Sequence, residues 1–586
     1  MVARRHRVVV NGLLAVHALL LAWSAAVHSP VIDEPAHLSA GISHWHHGTF
    51  SLYRVNPPLA RMVATVPLLL TDIQTDWSHY SDDLSGRPEF AVGDDLVVAN
   101  GMGIFTYAMM ARWACIPFSL LGGIVCYHWG RLLFGRRAGL VALTLWCSSP
   151  TILGHGALLT PDVAGTSLGL AACYLFSWWL VRPSWRVTLL CGVVLGLAEC
   201  AKSTWIVLFV LFPLLWLAHL VIVRSRAWKS SALQLGLVLA LGWFCLLSIY
   251  AFDGFGAPVG SVPFKSKLAR RWLYSPNSNG EFEMRPTLAK LPLPLPRDFV
   301  AGLDHQYRDL EGPDRSYLRG AWRTEGWWYY YLYGLAVKEH CGVLILAALS
   351  SCLLLSVVGG RKSRSRVSKH RKEIWLASAM TCLCPVVVLA VASANTGMNH
   401  HVRYVMPVVP YLLVLASGGC FRFGPLLRTR VCLTIALAAY AALSSLVCFP
   451  HSLSYFNEFA GGPSSGIFHL NNSNIDWGQD LLMLRDWKRK NAPDEPLYLA
   501  YFGRVNPSHA GIDYHLPPQF QESPETLAPG WYGVSVTLLQ GRAYSVESSD
   551  GKSVHCPENA YSYFGEMTPD DRVGHSIFLF HVARRH

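Results

Sequence analysis

The sequence predicts an α-helical protein that crosses a membrane about eleven times and ends in a small α/β domain outside the membrane. Of its 586 residues, 52% are hydrophobic and only 15% are charged, whereas about 25% are charged in soluble domains. Apolar segments recur along most of the chain, and many approach the length of about 20 residues that a helix needs to span a bilayer. They are 8–27, 102–128, 138–152, 162–181, 187–201, 203–223, 231–252, 333–358, 374–393, 402–419 and 431–449.

The distribution of the basic residues that give the net charge of +12 predicts the orientation of these spans. Lys and Arg collect in alternate short gaps between the apolar segments, which is the pattern of cytoplasmic loops. We therefore expect a multi-pass protein of the cell inner (plasma) membrane with a cytoplasmic N-terminus and no nucleic-acid partner. The basic residues are Arg131, Arg136, Arg137, Arg182, Arg186, Arg224, Arg226, Lys229, the run 361–372, Arg422, Arg428 and Arg430.

Two modules are predicted. Residues 1–449 form the membrane module, with long outer loops at 28–101 and 253–332. Residues 450–586 form a periplasmic or extracytoplasmic domain, because they are more polar and contain strand-like runs separated by turn residues. These runs are Leu497–Phe502, Trp531–Leu539 and Ser576–Val582.

Two adjacent carboxylates, Asp33 and Glu34, follow the first span directly. Carboxylates at a low-dielectric boundary are costly unless they are used or paired. One of them could act as a general base whose pKa the other tunes. Alternatively, an acidic residue before Pro35 could stabilise the start of a helix. The residues alone leave both interpretations open.

Further motifs follow in a fixed order, each near a predicted outer face. Together with Asp33-Glu34 they make the chain, over roughly residues 8–420, resemble the GT-C superfamily, and within it the branch of protein O-mannosyltransferases and aminoarabinose (lipid A) transferases. Segments after position 450 resemble bacterial phospholipid carrier-dependent glycosyltransferases. The motifs are Pro150–Gly156 leading to Thr160-Pro161-Asp162, Gly196–Lys202, His400–Tyr404 with Pro407, Tyr455–Glu458, Gly461–Pro463 and Ser473–Asp480.

The resemblance implies a sugar donor linked to a polyprenyl phosphate, which needs neither a cofactor nor a divalent metal. An acceptor hydroxyl on a protein, a lipid or a glycan would attack the anomeric carbon with inversion at the outer membrane face. Asp33 would be the catalytic base, and Glu34 would orient the acceptor or Asp33.

The resemblance and the residue types together suggest binding residues. Arg403 is the first candidate for the donor phosphate, since a guanidinium matches phosphate oxygens, with His401, His400, Lys202 and Tyr404 as further candidates. For substrate binding the candidates are Asp162, His37, Asp476 and Gln479. The same residue types also fit purely structural roles, because Arg403 and Lys202 could be cations that reach the interface and the acidic residues could occupy helix starts.

Two other functions fit a polytopic chain. A transporter or lipid flippase would carry charged residues near the bilayer midplane and internal repeats, whereas the charged candidates here lie at span ends. A glycan ligase or polymerase would share the outer site and the lipid donor. The cluster His44, His46 and His47 does not have zinc-ligand spacing, so we expect no metal there.

Overall fold

The computed structural model describes residues 2–224, 228–276, 281–312, 314–359, 369–420, 426–521 and 527–584. Within these ranges the chain is mainly α-helical with small sheets near its end, which confirms the predicted fold class. The basic run at 361–368, Arg226 and Arg422 lie outside the described residues. The helices are α1 Val2–Val27, α2 Glu34–His47, α3 Leu59–Thr65, α4 Glu89–Asn100, α5 Gly103–Phe134, α6 Arg136–Ser148, α7 Pro150–Gly156, α8 Pro161–Val181, α9 Trp185–Ala201, α10 Leu208–Val223, α11 Trp228–Ile249, α12 Lys267–Leu273, α13 Pro286–Ala289, α14 Arg297–Glu311, α15 Tyr330–Lys338, α16 Cys341–Gly359, α17 Lys369–Thr381, α18 Leu383–Ala394, α19 Val409–Ala416, α20 Leu427–Cys448, α21 Leu481–Asn491 and α22 Val536–Leu539.

Eight helical segments in the described ranges are long and apolar enough to cross a membrane, and a ninth arises if the bent pair α15–α16 counts as one span. Two predicted spans, 138–152 and 187–201, correspond to α6 and α9, which have only 13 and 17 residues. A helix of that length falls short of the about 30 Å hydrocarbon core unless the membrane thins or the helix continues into a neighbour.

Contacts between helix ends show which ends share a face of the bundle. The Lys202 ammonium, just after α9, lies 2.6 Å from an oxygen of Asp162 at the start of α8. Helix α8 has 21 residues and so extends about 31 Å away from Asp162. The chain must therefore return through α9 before it reaches Lys202. This return supports counting α9 as a crossing, while the total of about eleven stays a prediction.

The helices of the first outer loop, residues 28–101, pack closely against one another. Helix α2 is buried along most of its length, and it crosses α4 so closely that a Cβ on Gly93 would lie 2.7 Å from the backbone nitrogen of Ala36. This packing gives the start of α2, where Asp33 and Glu34 lie, a fixed position.

The C-terminal region contains a four-stranded sheet in the order β5-β6-β10-β9. Strands β5 and β6 are parallel, and the other two pairings are antiparallel. The three predicted strand-like runs overlap β5, β6 and β10, but the end of the second run is the short helix α22, Val536–Leu539. Leucines of this sheet share a hydrophobic cluster with α2. The strands are β1 Tyr274–Pro276, β2 Phe282–Met284, β3 Ser316–Leu318, β4 Ala321–Arg323, β5 Leu497–Ala500, β6 Gly530–Ser535, β7 Tyr544–Glu547, β8 Ser553–Cys556, β9 Asp571–Val573 and β10 Ile577–Val582.

Candidate active site

Asp33 is the residue immediately before α2, but its side chain makes no capping hydrogen bond to that helix. Its Oδ2 instead accepts a hydrogen bond from Nη2 of Arg403 at 3.0 Å. The Asp33 side chain is 16% exposed, and its other oxygen has no hydrogen-bond partner among the described residues. The carboxylate is therefore held on one side and open on the other, which favours a chemical role over the capping role.

Arg403 joins Asp33 to a second carboxylate. Its Nη1 lies 3.3 Å from Oδ2 of Asp162, whose other oxygen accepts a hydrogen bond from Lys202 at 2.6 Å. Two carboxylates and two cations thus form one contiguous, charge-balanced cluster, in which all but Asp33 are nearly buried. The Tyr404 ring lies beside both cations, 5.8 Å from the guanidinium and 6.0 Å from the ammonium.

The local sequence explains how these charges meet. Pro161 begins α8 and places Asp162 in the first turn, where the helix dipole favours a carboxylate. Lys202 ends α9 in an extended conformation, and Gly165 lets it approach α8, since a Cβ on that glycine would lie 2.6 Å from the Cβ of Lys202. Arg403 belongs to the short 3-10 helix Val402–Val408, at the start of a span.

Glu34 faces away from this cluster. It is fully buried, and its two oxygens accept hydrogen bonds from Nε and Nη2 of Arg112 at 2.8 and 2.6 Å. They also accept from the backbone nitrogens of Val31 and Leu159. With every oxygen engaged and no exposed surface, Glu34 has no room for an acceptor, so the structure favours a structural role over the predicted orienting one.

Aromatic and imidazole rings form the walls around the cluster. The Trp477 ring lies 4.2 Å from the Arg403 guanidinium, close enough for a cation–π contact. His401 lies on the same side, with Nδ1 hydrogen-bonded to the hydroxyl of Ser473 at 2.7 Å. His37 stacks on Tyr53 at 4.4 Å, and its buried Nε2 has no hydrogen-bond partner in the described part of the chain.

The protonation of His37 follows from its surroundings. Burial, and then the nearby guanidinium groups of Arg61 and Arg403, hold the pKa of His37 well below its ordinary value of 6.5. A neutral imidazole with one unused nitrogen can exchange a hydrogen bond with a hydroxyl group.

Three other predicted site residues make contacts within the protein. Asp476 accepts hydrogen bonds from the backbone nitrogens of Thr537 and Gly478 at 3.0 and 3.4 Å, and burial raises its pKa to about 7. Gln479 is bonded to the backbone and to a serine, and His400 to the carbonyl of Arg315. None of these hydrogen bonds connects Asp476, Gln479 or His400 to the charged cluster.

Sequence reasoning missed Arg112, the partner of Glu34. The signal was present, because Arg112 is a lone arginine within the apolar segment 102–128. Such a charge is costly in a membrane unless it is paired, and so it required a carboxylate partner.

Comparisons with known proteins support the resemblance. Residues 99–250, which include Asp162 and Lys202, match the family model described as dolichyl-phosphate-mannose-protein mannosyltransferase. The resemblance predicted from the motifs is confirmed over this segment, and the chain is a multi-pass membrane protein. Comparison with curated proteins gives no match.

The chain is also similar to several solved structures. ArnT from Cupriavidus metallidurans bound to undecaprenyl phosphate is 14% identical, with a TM-score of 0.46 and coverage of 93% of this chain and 97% of that one. AglB from Archaeoglobus fulgidus, in complex with an inhibitory peptide and a dolichol-phosphate, is 11% identical, with a TM-score of 0.41 and coverage of 94% and 74%. The S. cerevisiae Pmt1-Pmt2 complex bound to the sugar donor is 15% identical, with a TM-score of 0.32 and coverage of 47% and 36%.

Proposed function

We propose that this protein is an inverting glycosyltransferase that moves a sugar from a polyprenyl phosphate to an acceptor hydroxyl at the outer face of the membrane. The observation that carries the proposal is the ion pair between Asp33 and Arg403. It joins a partly exposed carboxylate from near the start of the membrane module's sequence to a guanidinium from near its end. Both residues lie at the ends of spans.

Asp33 is the general base. It accepts the proton of the acceptor hydroxyl while that oxygen forms a bond to the anomeric carbon. The bond from this carbon to the phosphate oxygen breaks, and the electron pair leaves with polyprenyl phosphate. The pairing with Arg403 fixes the direction of the Asp33 carboxylate, as a base must be positioned before it can act.

Arg403 and Lys202 bind the phosphate of the donor. In the free protein their charges are balanced by Asp33 and Asp162, so the cations need no ligand to be stable in a buried site. When the donor binds, its phosphate shares these cations. Charge that develops on the leaving oxygen is then stabilised by donors that are already oriented.

His37 and Trp477 bind the sugar and the acceptor. The unused Nε2 of His37 suits a hydroxyl group, and the indole of Trp477 offers an apolar surface of the kind that packs against a sugar ring. No cofactor and no divalent metal take part in the chemical step. The cytoplasmic N-terminus and the inner (plasma) membrane location, inferred from the basic loops, belong to this proposal.

The test is release of polyprenyl phosphate by purified protein in lipid, with a panel of polyprenyl-phosphate hexoses and pentoses and with protein, lipid and glycan acceptors. We expect one donor class to be turned over by the wild type. Asp33→Asn is expected to lower the rate about 10²–10⁴-fold, which is typical for loss of a general base, while donor binding persists. Arg403→Gln is expected to weaken donor binding as well.

The matched control is Asp72→Asn, which changes an exposed aspartate of the same loop and should leave the rate unchanged. Equal rates for Asp33→Asn and the wild type would remove Asp33 from its role but keep the donor class. Absence of release with every donor and acceptor would contradict the proposed function and favour a transporter.

A further inference from the structure

Three side chains from distant parts of the sequence meet where the first span ends. His28 follows α1, His451 follows α20, and Asp480 precedes α21. One nitrogen of each histidine and one oxygen of Asp480 lie within 4.8 Å of one another. Nε2 of His28 is 3.8 Å from Oδ1 of Asp480, and Nδ1 of His451 is 3.5 Å from the same oxygen.

The hydrogen bonds around this group leave its inner atoms unsatisfied. Nδ1 of His28 lies 2.9 Å from the carbonyl oxygen of Ser24, so it must carry the proton and donate. Its Nε2 then presents a lone pair toward Oδ1 of Asp480. That oxygen is fully buried and has no hydrogen-bond partner in the described part of the chain, because the hydroxyl of Ser576 donates to the other oxygen, Oδ2.

Two lone pairs that face each other in a buried site repel unless a positive charge lies between them. A bound cation satisfies both atoms. The donated proton on Nδ1 is also the usual arrangement for a histidine that ligates metal through its other nitrogen.

We propose that His28, His451 and Asp480 bind a divalent transition-metal ion of the Zn²⁺ class, with water in the fourth position. Zn²⁺ bonds of about 2.0–2.1 Å in a tetrahedral site separate neighbouring ligand atoms by about 3.3 Å, close to the two distances between the histidine nitrogens and Asp480. Two imidazoles and one carboxylate suit Zn²⁺ and related first-row ions better than Mg²⁺ or Ca²⁺. Beside this group lies His575, whose ring is 5.7 Å from that of His451.

The ion is structural. It joins the end of α1 to the segment that begins the C-terminal region, and the same two segments are linked by backbone hydrogen bonds from Ser29 to Gln479 and from Ile32 to Trp477. These bonds place Asp33 and Trp477 beside each other. The metal site does not depend on the proposed glycosyl transfer, and metal content and stability test it without any activity assay.

The first measurement is metal analysis of protein purified without a polyhistidine tag, exposed to Zn²⁺ and then dialysed. We expect about one zinc per chain in the wild type and loss of that zinc in His451→Ala and in Asp480→Asn. Exchange with Co²⁺ should give the visible absorption of a tetrahedral site. Chelation should lower the melting temperature of the wild type, and added Zn²⁺ should restore it. The matched control, His555→Ala, changes an exposed histidine of the same region and should keep the zinc.

His451→Cys distinguishes loss of a metal ligand from loss of the fold, because it keeps a zinc-binding atom at the same position. It should retain metal and give a thiolate-to-Co²⁺ absorption band. The proposal is overturned if the wild type holds no zinc after exposure to Zn²⁺ and its melting temperature does not change with the chelator. It is equally overturned if well-folded His451→Ala and Asp480→Asn bind as much zinc as the wild type.

Discussion

Glu34→Gln tests whether the second carboxylate of the Asp33-Glu34 pair is structural. Arg112 uses all five of its N–H groups: two bind Glu34, and three bind the carbonyl oxygens of Ala25, His28 and Ser29. The Arg112 and Glu34 side chains are 1% and 0% exposed. No water can replace either partner, so the charge of each depends on the other.

The expected loss follows from this burial. Glutamine has nearly the same shape, but it carries no charge and turns an amide group toward N–H donors. Removing one partner of a buried ion pair typically costs about 3–5 kcal/mol, because the remaining charge is left uncompensated. We expect Glu34→Gln to lower the free energy of unfolding by that amount, measured by denaturant titration in lipid or by proteolysis of the unfolded state.

A second variant separates the ion pair from the packing. Glu34→Gln combined with Arg112→Met removes both charges, and it should regain a large part of the loss, since an apolar replacement of a buried pair is often tolerated. As a control, Asp550→Asn breaks the exposed pair with Lys552 and should change nothing measurable. A stability of Glu34→Gln within about 1 kcal/mol of the wild type would refute the reasoning.

Two further predictions concern packing and pH. Gly169→Val should destabilise the bundle by about 1–3 kcal/mol through overpacking, because the Trp205 ring occupies the space of the new side chain, whereas Gly236→Ala, with no atom within 4 Å, should be neutral or slightly stabilising in the same unfolding assay. Burial raises the pKa of Asp476 from 3.8 to about 7, so its contribution to stability is complete below pH 3.8 and is lost as the pH rises through about 7. Melting temperatures of the wild type should therefore fall across this range more steeply than those of Asp476→Asn, and parallel curves would contradict the assignment.

Much of the fold and the central part of the site could be predicted from the sequence. The apolar segments predict the spans. Few charged residues lie at the predicted outer ends of these spans, and we expect those few to lie close together. Asp33, Asp162, Lys202 and Arg403 were singled out by the resemblance to the GT-C superfamily together with their places at span ends. The length and the end of an apolar segment depend on residues close together in the sequence. Both can therefore be predicted without knowing the rest of the fold.

The remaining contacts depend on how the outer segments fold over the bundle. Asp476 and Gln479 were predicted as candidates for substrate binding, with a structural role at a helix start as the alternative. In the structure they are bonded to nearby backbone and a serine instead. Thr537, which donates to Asp476, lies 61 residues further along the sequence, and no local pattern predicts such a pairing. For the same reason, the sequence did not predict the contact between His28 and His451.

The pairing of residues 29–32 with 477–479 has a consequence for biosynthesis. In the orientation that we propose, a chain emerging from the ribosome inserts its helices in order, and Asp33 reaches the far side of the membrane early. Trp477 is made only after about four-fifths of the chain. The site is therefore completed late in synthesis, and a product truncated before Trp477 that inserts correctly would still lack one side of its site.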